Sequence, residues 1–268
     1  MACEEAGVDV VVALATAALR DADNGVRLIG RLEQIIGSPI TLLTGEEEAR
    51  LCFLGQRAGV WVGHDPVLGL DLGGGSLEAG IGTIDDVMAV ASVALGTARL
   101  RGELGTGELL TPMEREAIAE VTLSRAEPVR DMLTRTPGAG TRVIASGGTV
   151  RALARLAMGL HRPLSTNGSV SSLQVNQVEI PAGQLRELAE RLATLDLDAR
   201  LALPGVQARR APLLPIGAVV LSTLVDSLGL QRLIVSEWGL REGAVIGALA
   251  LQPERSPRPG EPVPGLRS

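Results

Sequence analysis

At 268 residues, with 46% hydrophobic and 21% charged side chains, the sequence has apolar material for one large or two modest globular domains, which excludes a disordered or fibrous chain. A formal net charge of −6, one Phe and no Tyr leave neither a basic surface nor stacking platforms for nucleic acid. All 25 basic residues are arginine, so a Walker-type lysine is excluded, while arginine's planar fork suits bidentate phosphate contacts.

No apolar run reaches the roughly 18 uncharged residues of a membrane span, and the N-terminus lacks a basic start and apolar core, so the sequence reads as a cytoplasmic protein with no membrane partner. Cys3 and Cys52 are too few for a disulfide framework and read as buried structural thiols. His64 and His161 exclude a multi-histidine metal site. His64, before Asp65-Pro66, reads as a turn residue, and acid–base chemistry falls to carboxylates.

In chain order, Val8 to Ala15 is a nearly continuous apolar run rich in β-branched residues, predicting a strand buried on both faces in a parallel sheet. Leu28, Ile29, Leu32, Ile35 and Ile36 recur at helical spacing, Gly37 closes that helix, and Pro39 to Leu43 gives a second strand, completing a βαβ unit. Thr44 and Glu47 form a capping box that opens a helix to Gly59. Glu47 therefore has a structural task. Glu48 has none from spacing, since its i+4 neighbour is Cys52, and it can be read either as an acid solvated at a helix N-terminus or as a functional group.

Leu68 to Gly82 predicts a β-hairpin: Leu68, Leu70 and Leu72 alternate before the turn, Leu77, Ala79 and Ile81 after it. Gly73, Gly74 and Gly75 can take positive φ and carry no Cβ, so their amides can converge on a phosphate, with the Ser76 hydroxyl as a further donor. Asp71 and Glu78 flank the turn as hard oxygen ligands suited to Mg²⁺ or Mn²⁺ beside phosphate oxygens. A merely flexible turn is the alternative for the glycines. A dinucleotide fingerprint is disfavoured, because Gly80 and Gly82 in an alternating run argue against the helix it needs.

Val87 to Leu95 continues the meander, and a turn and short helix occupy Gly96 to Glu103. A second capping box at Thr111 to Glu114 opens a helix to about Thr134, kinked at Pro128. A strand from Thr141 to Ala145 runs through Ser146, Gly147, Gly148 and Thr149 into a helix from Val150 to Met158. That loop is read equally as a phosphate site at a helix N-terminus or as a tight structural turn. Helices at Ala182–Thr194 and Leu213–Leu228, a strand at Leu230–Ser236 and a helix at Leu240–Leu251 follow. Residues 252–268, with five of the fifteen prolines, are expected to be disordered.

Gly45-Glu-Glu-Glu-Ala-Arg50, Asp71-Leu-Gly-Gly-Gly-Ser-Leu-Glu78, Ser146-Gly-Gly-Thr-Val-Arg-Ala-Leu153 and Trp238-Gly-Leu-Arg-Glu-Gly243, in that order, resemble the exopolyphosphatase and guanosine pentaphosphate phosphatase (Ppx/GppA) family. The resemblance implies an α/β fold of actin-like ATPase type, two ribonuclease-H-like lobes around a cleft, with water removing terminal phosphate from inorganic polyphosphate or pppGpp. It implies Glu48 as catalytic base, Asp71 and Glu78 beside a divalent metal, the two glycine loops as phosphate cradles, and Arg20 as a contact to the anionic substrate.

Family members also carry an earlier loop of the form Asp-x-Gly-Ser-Asn-Ser, which this sequence does not contain. The comparison therefore implies residues 1–62 as the C-terminal part of an incomplete first lobe and 63–251 as a complete second lobe with C-terminal helices. It raises, as an alternative, a catalytically impaired module that binds polyphosphate or guanosine penta- and tetraphosphate. The sequence leaves the oligomeric state open, a homodimer included.

Overall fold

The computed structural model describes residues 7, 8, 11–136, 138, 139, 142–160 and 174–250, so Cys3, His161 and the tail 252–268 lie outside the described residues. Two sheets organise the chain. The smaller pairs β1 (Ala13–Ala15) in parallel with β2 (Ile40–Leu42), joined through the short helix α1 (Ala17–Arg20) and α2 (Gly25–Ile36). This is the predicted βαβ unit, and Gly37 closes α2 in a left-handed conformation as its position suggested.

The first strand is shorter and more exposed than its apolar run predicts. β2 offers only three residues before Thr44 caps the next helix, so the ladder stops at Ala13, and Val8, Val11 and Val12 are about half exposed. The apolar stripe of α2 is likewise open, with Ile35 77% and Ile36 46% exposed.

The larger sheet holds β3 (Val67–Leu72), β4 (Leu77–Gly82), β5 (Val87–Val93), β6 (Val143–Ser146), β7 (Glu179–Pro181) and β8 (Arg232–Val235), in the order β5-β4-β3-β6-β8-β7. β3, β4 and β5 form the predicted antiparallel meander; β6 and β8 continue it in parallel, and β7 is an antiparallel edge. A three-strand meander extended by parallel strands is the ribonuclease-H-like pattern of actin-like ATPase folds. The three-residue β7 gives no period-two signal and was not legible in the sequence.

The period of two splits this sheet into two chemically different faces. Leu68, Leu70, Leu72, Leu77 and Ile81 point to one side and are at most 1% exposed, each contributing about 2 kcal/mol by burial. They join α5 (Pro112–Arg125), α8 (Ala182–Thr194) and α10 (Leu214–Ser227) in the main core. The other face carries Val67, Gly69, Asp71, Glu78, Gly80, Ile144 and Ser146, and is covered by α3 (Gly45–Gly59), which crosses α11 (Leu240–Ala250). Pro128 does more than kink: the helix breaks at Ala126 into α5 and α6 (Glu127–Arg135), with Pro128 in the first turn of α6, where its missing N–H costs nothing. Of three further helices, α4 (Thr97–Leu104) starts against the first glycine loop, the Thr97 and Ala98 amides donating to the Gly73 and Gly74 carbonyls, α7 (Gly148–Leu160) starts at the second, and α9 (Leu197–Leu201) is a short turn after α8.

No helix among the described residues is long and apolar enough to cross a membrane.

Candidate active site

The placement of Glu48 begins with the single Phe. Phe53 is buried against the α3-facing side of the sheet, where a Cβ on Gly69, Gly80 or Gly82 would stand 2.7 to 2.8 Å from its atoms. Those glycines form a seat that only hydrogen side chains permit. Three residues further on, Gln56 is 1% exposed and donates from Nε2 to the Leu70 carbonyl (2.9 Å) and to Ser146 Oγ (2.7 Å). On the helix's other side a Cβ on Gly55 would lie 2.0 Å from the Gly239 carbonyl oxygen, and one on Gly243 would lie 1.8 Å from that of Leu51, so α3 and α11 cross nearly in backbone contact. With the Thr44–Glu47 capping box formed at its start, α3 is fixed along its length.

The first turn of α3 thereby presents Glu48, 6% exposed, to the sheet face carrying Asp71 and Glu78. Arg20 Nη1 donates to Glu48 Oε2 (3.2 Å) and to the Leu43 carbonyl (2.8 Å). Burial raises the Glu48 carboxyl above its ordinary range, and the Arg20 bond and charge oppose that rise. Of the two acids at positions 47 and 48, the structure occupies Glu47 in the cap and turns Glu48 inward.

Asp71 and Glu78 are directly opposite in the β3–β4 ladder, so their side chains share one face. Ser146 Oγ donates to Asp71 Oδ2, completing a line from Gln56 through Ser146 to Asp71. Burial raises Asp71, against the hydrogen bond from Ser146 and the charge of Arg151. Glu78, 3% exposed, is pushed up to about 8 by burial first and then by the charge of Glu48, despite hydrogen bonds from Ser76 and from Ser92 Oγ (3.0 Å). Ser76 and Ser146, both expected to contact phosphate, thus have carboxylate partners of their own.

The ligand atoms of Asp71, Glu78 and Cys52 lie within 4.8 Å of one another. Burial and the neighbouring carboxylates raise the Cys52 thiol well above its usual value, which keeps it protonated and leaves Asp71 and Glu78 as the hard donors. Partly buried Asp71 and buried Glu78, on one face with their carboxyls raised, are hard oxygen donors whose ionised pair a divalent ion would satisfy. The residues present therefore fit Mg²⁺ or Mn²⁺.

The two glycine loops close the site. Gly73, Gly74 and Gly75 line a cavity of about 430 Å³ together with Glu48, Asp71, Ser76 and Glu78, and Gly73 and Gly74 also border an adjoining cavity of about 330 Å³ with Gly147, Gly148 and Thr149. The backbone of the first loop differs from expectation: none of its three glycines has positive φ. Their role is close approach, since a Cβ on Gly75 would lie 2.9 Å from Ala17 Cβ, and a Cβ on Gly96 would lie 2.2 Å from the Gly75 carbonyl carbon. Positive φ is found at Gly147 instead (104°), where the chain turns from β6 toward α7. Gly148 and Thr149, at the start of α7, line the second cavity, and the first amides of a helix lack intrahelical partners, an arrangement suited to an anion.

The closing motif, to which spacing assigned no task, supports the same centre. A Cβ on Gly239 would lie 2.9 Å from Asp71 Oδ2 and 3.3 Å from Ser146 Oγ, and Gly243 admits the α3 crossing. His64 sits in an exposed bend with Nδ1 3.4 Å from Asp85, away from all of this.

The Ppx/GppA phosphatase family model matches residues 2–252, which include all four motifs and the whole of this centre. The chain belongs to the Ppx/GppA phosphatase family. It is 31% identical over 251 residues to exopolyphosphatase 1 of Mycobacterium tuberculosis, covering 91% of this chain and 68% of that protein. The crystal structure of an exopolyphosphatase from Cytophaga hutchinsonii superposes with a TM-score of 0.83 at 22% identity, over 93% of this chain and 78% of that one. The Aquifex aeolicus family member superposes at 0.74 and 23% identity, over 93% and 77%. At those identities the two structures establish the shared fold of this Ppx/GppA chain.

Proposed function

We propose that this Ppx/GppA chain hydrolyses phosphoanhydride bonds, releasing terminal phosphate from inorganic polyphosphate. The observation that carries the reading is the convergence of Glu48, Asp71 and Glu78 with both glycine loops on adjoining cavities. The M. tuberculosis relative, named an exopolyphosphatase, supports the choice of polyphosphate.

Asp71 and Glu78 would hold Mg²⁺ or Mn²⁺. When bound, such an ion would neutralise charge developing on the transferred phosphoryl group. The amides of Gly74, Gly75 and the second glycine loop fix the terminal phosphate, that of Gly73 being engaged by the Ser76 carbonyl (3.0 Å), and Glu48 accepts the proton of the attacking water. Burial raises the basicity of Glu48, while Arg20 opposes that rise, orients the carboxylate and leaves lone pairs for the water. This is catalysis by positioning and charge stabilisation, which phosphoryl transfer chiefly requires.

The test is phosphate release from long-chain polyphosphate, and from pppGpp in parallel, with Mg²⁺ or with EDTA. Release from polyphosphate that stops in EDTA, with Asp71→Asn needing about ten-fold more Mg²⁺ or greater, is the expected result. Activity on pppGpp alone would transfer the reading to the nucleotide, and binding of either anion without turnover would make the chain a binding module.

A further inference from the structure

The cation centre holds a third donor besides its two acids. Cys52 lies one turn after Glu48 on the buried face of α3 and lines the cavity of about 430 Å³ together with Asp71 and Glu78. Its Sγ and one carboxylate oxygen from each acid all stand within 4.8 Å of one another, and no other three ligand-type side chains come together in this way among the described residues.

A buried free cysteine is ordinarily a small hydrophobe packed among apolar side chains. Cys52 is 3% exposed, yet it joins neither hydrophobic cluster, whereas its neighbour Phe53 does. Its sulfur faces two carboxyls instead, and the Leu240 backbone hydrogen-bonds to it in the sense that favours a thiolate. The helix cannot turn it away: Leu51 and Gly55 on either side meet Gly243 and Gly239 of the α11 crossing nearly in backbone contact.

Ligand softness divides what such a set can hold. Mg²⁺ takes oxygen donors and has no use for a protonated thiol, whereas Zn²⁺ and Cd²⁺ bind thiolate strongly and accept carboxylate. A four-coordinate zinc ion spaces its sulfur and oxygen ligands about 3.5 Å apart, which small rotations of these three side chains reach. On coordination a metal–sulfur bond replaces S–H and the proton leaves to water.

We propose that Cys52, Asp71 and Glu78 form a thiolate–dicarboxylate site for Zn²⁺, an inhibitory ion state of the cavity from which Mg²⁺ or Mn²⁺ is displaced. The binding stands by itself, and the inhibition rests on the hydrolase reading above. Two carboxylates neutralise a bound Mg²⁺, but the added thiolate leaves the zinc centre with one net negative charge, which repels an anionic phosphate chain.

Binding is read first, without turnover. Cd²⁺ is titrated onto the metal-free 268-residue chain and onto its Cys3→Ser, Cys52→Ser and Cys52→Ala variants, following the ultraviolet thiolate-to-cadmium charge-transfer band. The wild-type and Cys3→Ser chains should each show one metal-bound thiolate, lost as Zn²⁺ displaces Cd²⁺, and both Cys52 variants none. Cys52→Ala buries no new polar group, so it decides the matter if serine disturbs the fold. Zn²⁺ affinity should fall at least about 100-fold in the Cys52 variants, more than the loss of an outer-shell group costs, and Mg²⁺ affinity by less than about 3-fold. Glu78→Gln should weaken Cd²⁺ binding about 10-fold or more. No band in the wild-type chain, a band lost with Cys3 instead, or an unchanged midpoint in Glu78→Gln would each overturn the three-ligand site. Phosphate release in saturating Mg²⁺ should then fall about 10-fold or more as buffered free Zn²⁺ fills the site, and Cys52→Ala, measured against its own zinc-free rate, should resist. Undiminished release with zinc bound would overturn the inhibitory state. Release in Mg²⁺ without any Zn²⁺ binding leaves the hydrolase reading and removes the zinc site; Zn²⁺ binding by a chain that releases no phosphate does the reverse.

Discussion

The two sheets of this protein obey the same packing rules with opposite results. In the six-stranded sheet, alternate residues of β3 and β4 go to a dry core on one side and to the α3 interface on the other, and Leu68, Leu77 and Ile81 are fully buried. In the β1–β2 sheet two three-residue strands pair along a single edge each, and Val11, Val12, Val26 and Ile35 around them are half or more exposed. The site draws on both. Asp71, Glu78 and the glycine loops belong to the deep sheet, whereas Arg20, which orients Glu48, comes from the shallow one, tied across by its own bonds, by the Arg99–Asp21 ion pair, by the Ala17 backbone bond to Glu48 and by the approach of Ala17 to Gly75. The half of the site carrying Asp71, Glu78 and the glycine loops is therefore built into the most deeply buried part of the described structure, and the half carrying Arg20 into a more exposed one.

The largest test of that division is at the junction. Glu48→Gln should lower turnover by roughly 10² to 10⁴, with little change in Mg²⁺ requirement, because the base is lost and the Asp71–Glu78 pair is not. Glu47→Gln should cost only about 1 kcal/mol of stability through the capping box and leave turnover nearly intact. Steady-state phosphate release and thermal melts on both variants decide it; loss of turnover confined to Glu47→Gln would reverse the assignment.

Next in size are the two cores. Leu70→Ala, at 1% exposure, should destabilise by about 3 kcal/mol in urea unfolding, and Ile35→Ala, at 77%, by under about 0.5 kcal/mol. Comparable losses would show that the small sheet is buried in solution and the contrast is false.

The smallest expected effect is a pH dependence confined to the deep half. The Glu78 carboxyl is held at about 8 in the folded chain against an ordinary 4.5, so folding favours its protonated form. Its contribution is complete below about 4.5 and is lost as pH rises through about 8. The metal-free chain should melt progressively lower across that window, Glu78→Gln should flatten the profile, and added Mg²⁺ should restore stability at the alkaline end by binding the ionised pair. A melt profile unaltered by Glu78→Gln would remove this acid from the coupling.

Much of this was legible in the sequence because it is local. The hairpin around Gly73 to Gly75, the capping boxes at Thr44 and Thr111 and the helix-closing Gly37 each depend on residues within a few positions, and all formed as spacing required. The motifs placed Glu48, Asp71 and Glu78 as candidates, and the fold brought them to one cavity. Burial was misjudged where it depends on partners: the apolar run from Val8 to Ala15 has the composition of a central strand, yet β2 offers it a ladder of only three residues. Nor does any local pattern pair Gln56 with Ser146, ninety positions away, seat Phe53 on Gly69, Gly80 and Gly82, or lay Arg210 against Gly148. Backbone preferences and alternation act over neighbouring residues, so the sequence by itself determined the elements and the chemical types at their ends. Which carboxylate turns inward, which serine serves another acid and which arginine lies against a glycine loop are set by contacts between distant segments, and those only the tertiary structure decided.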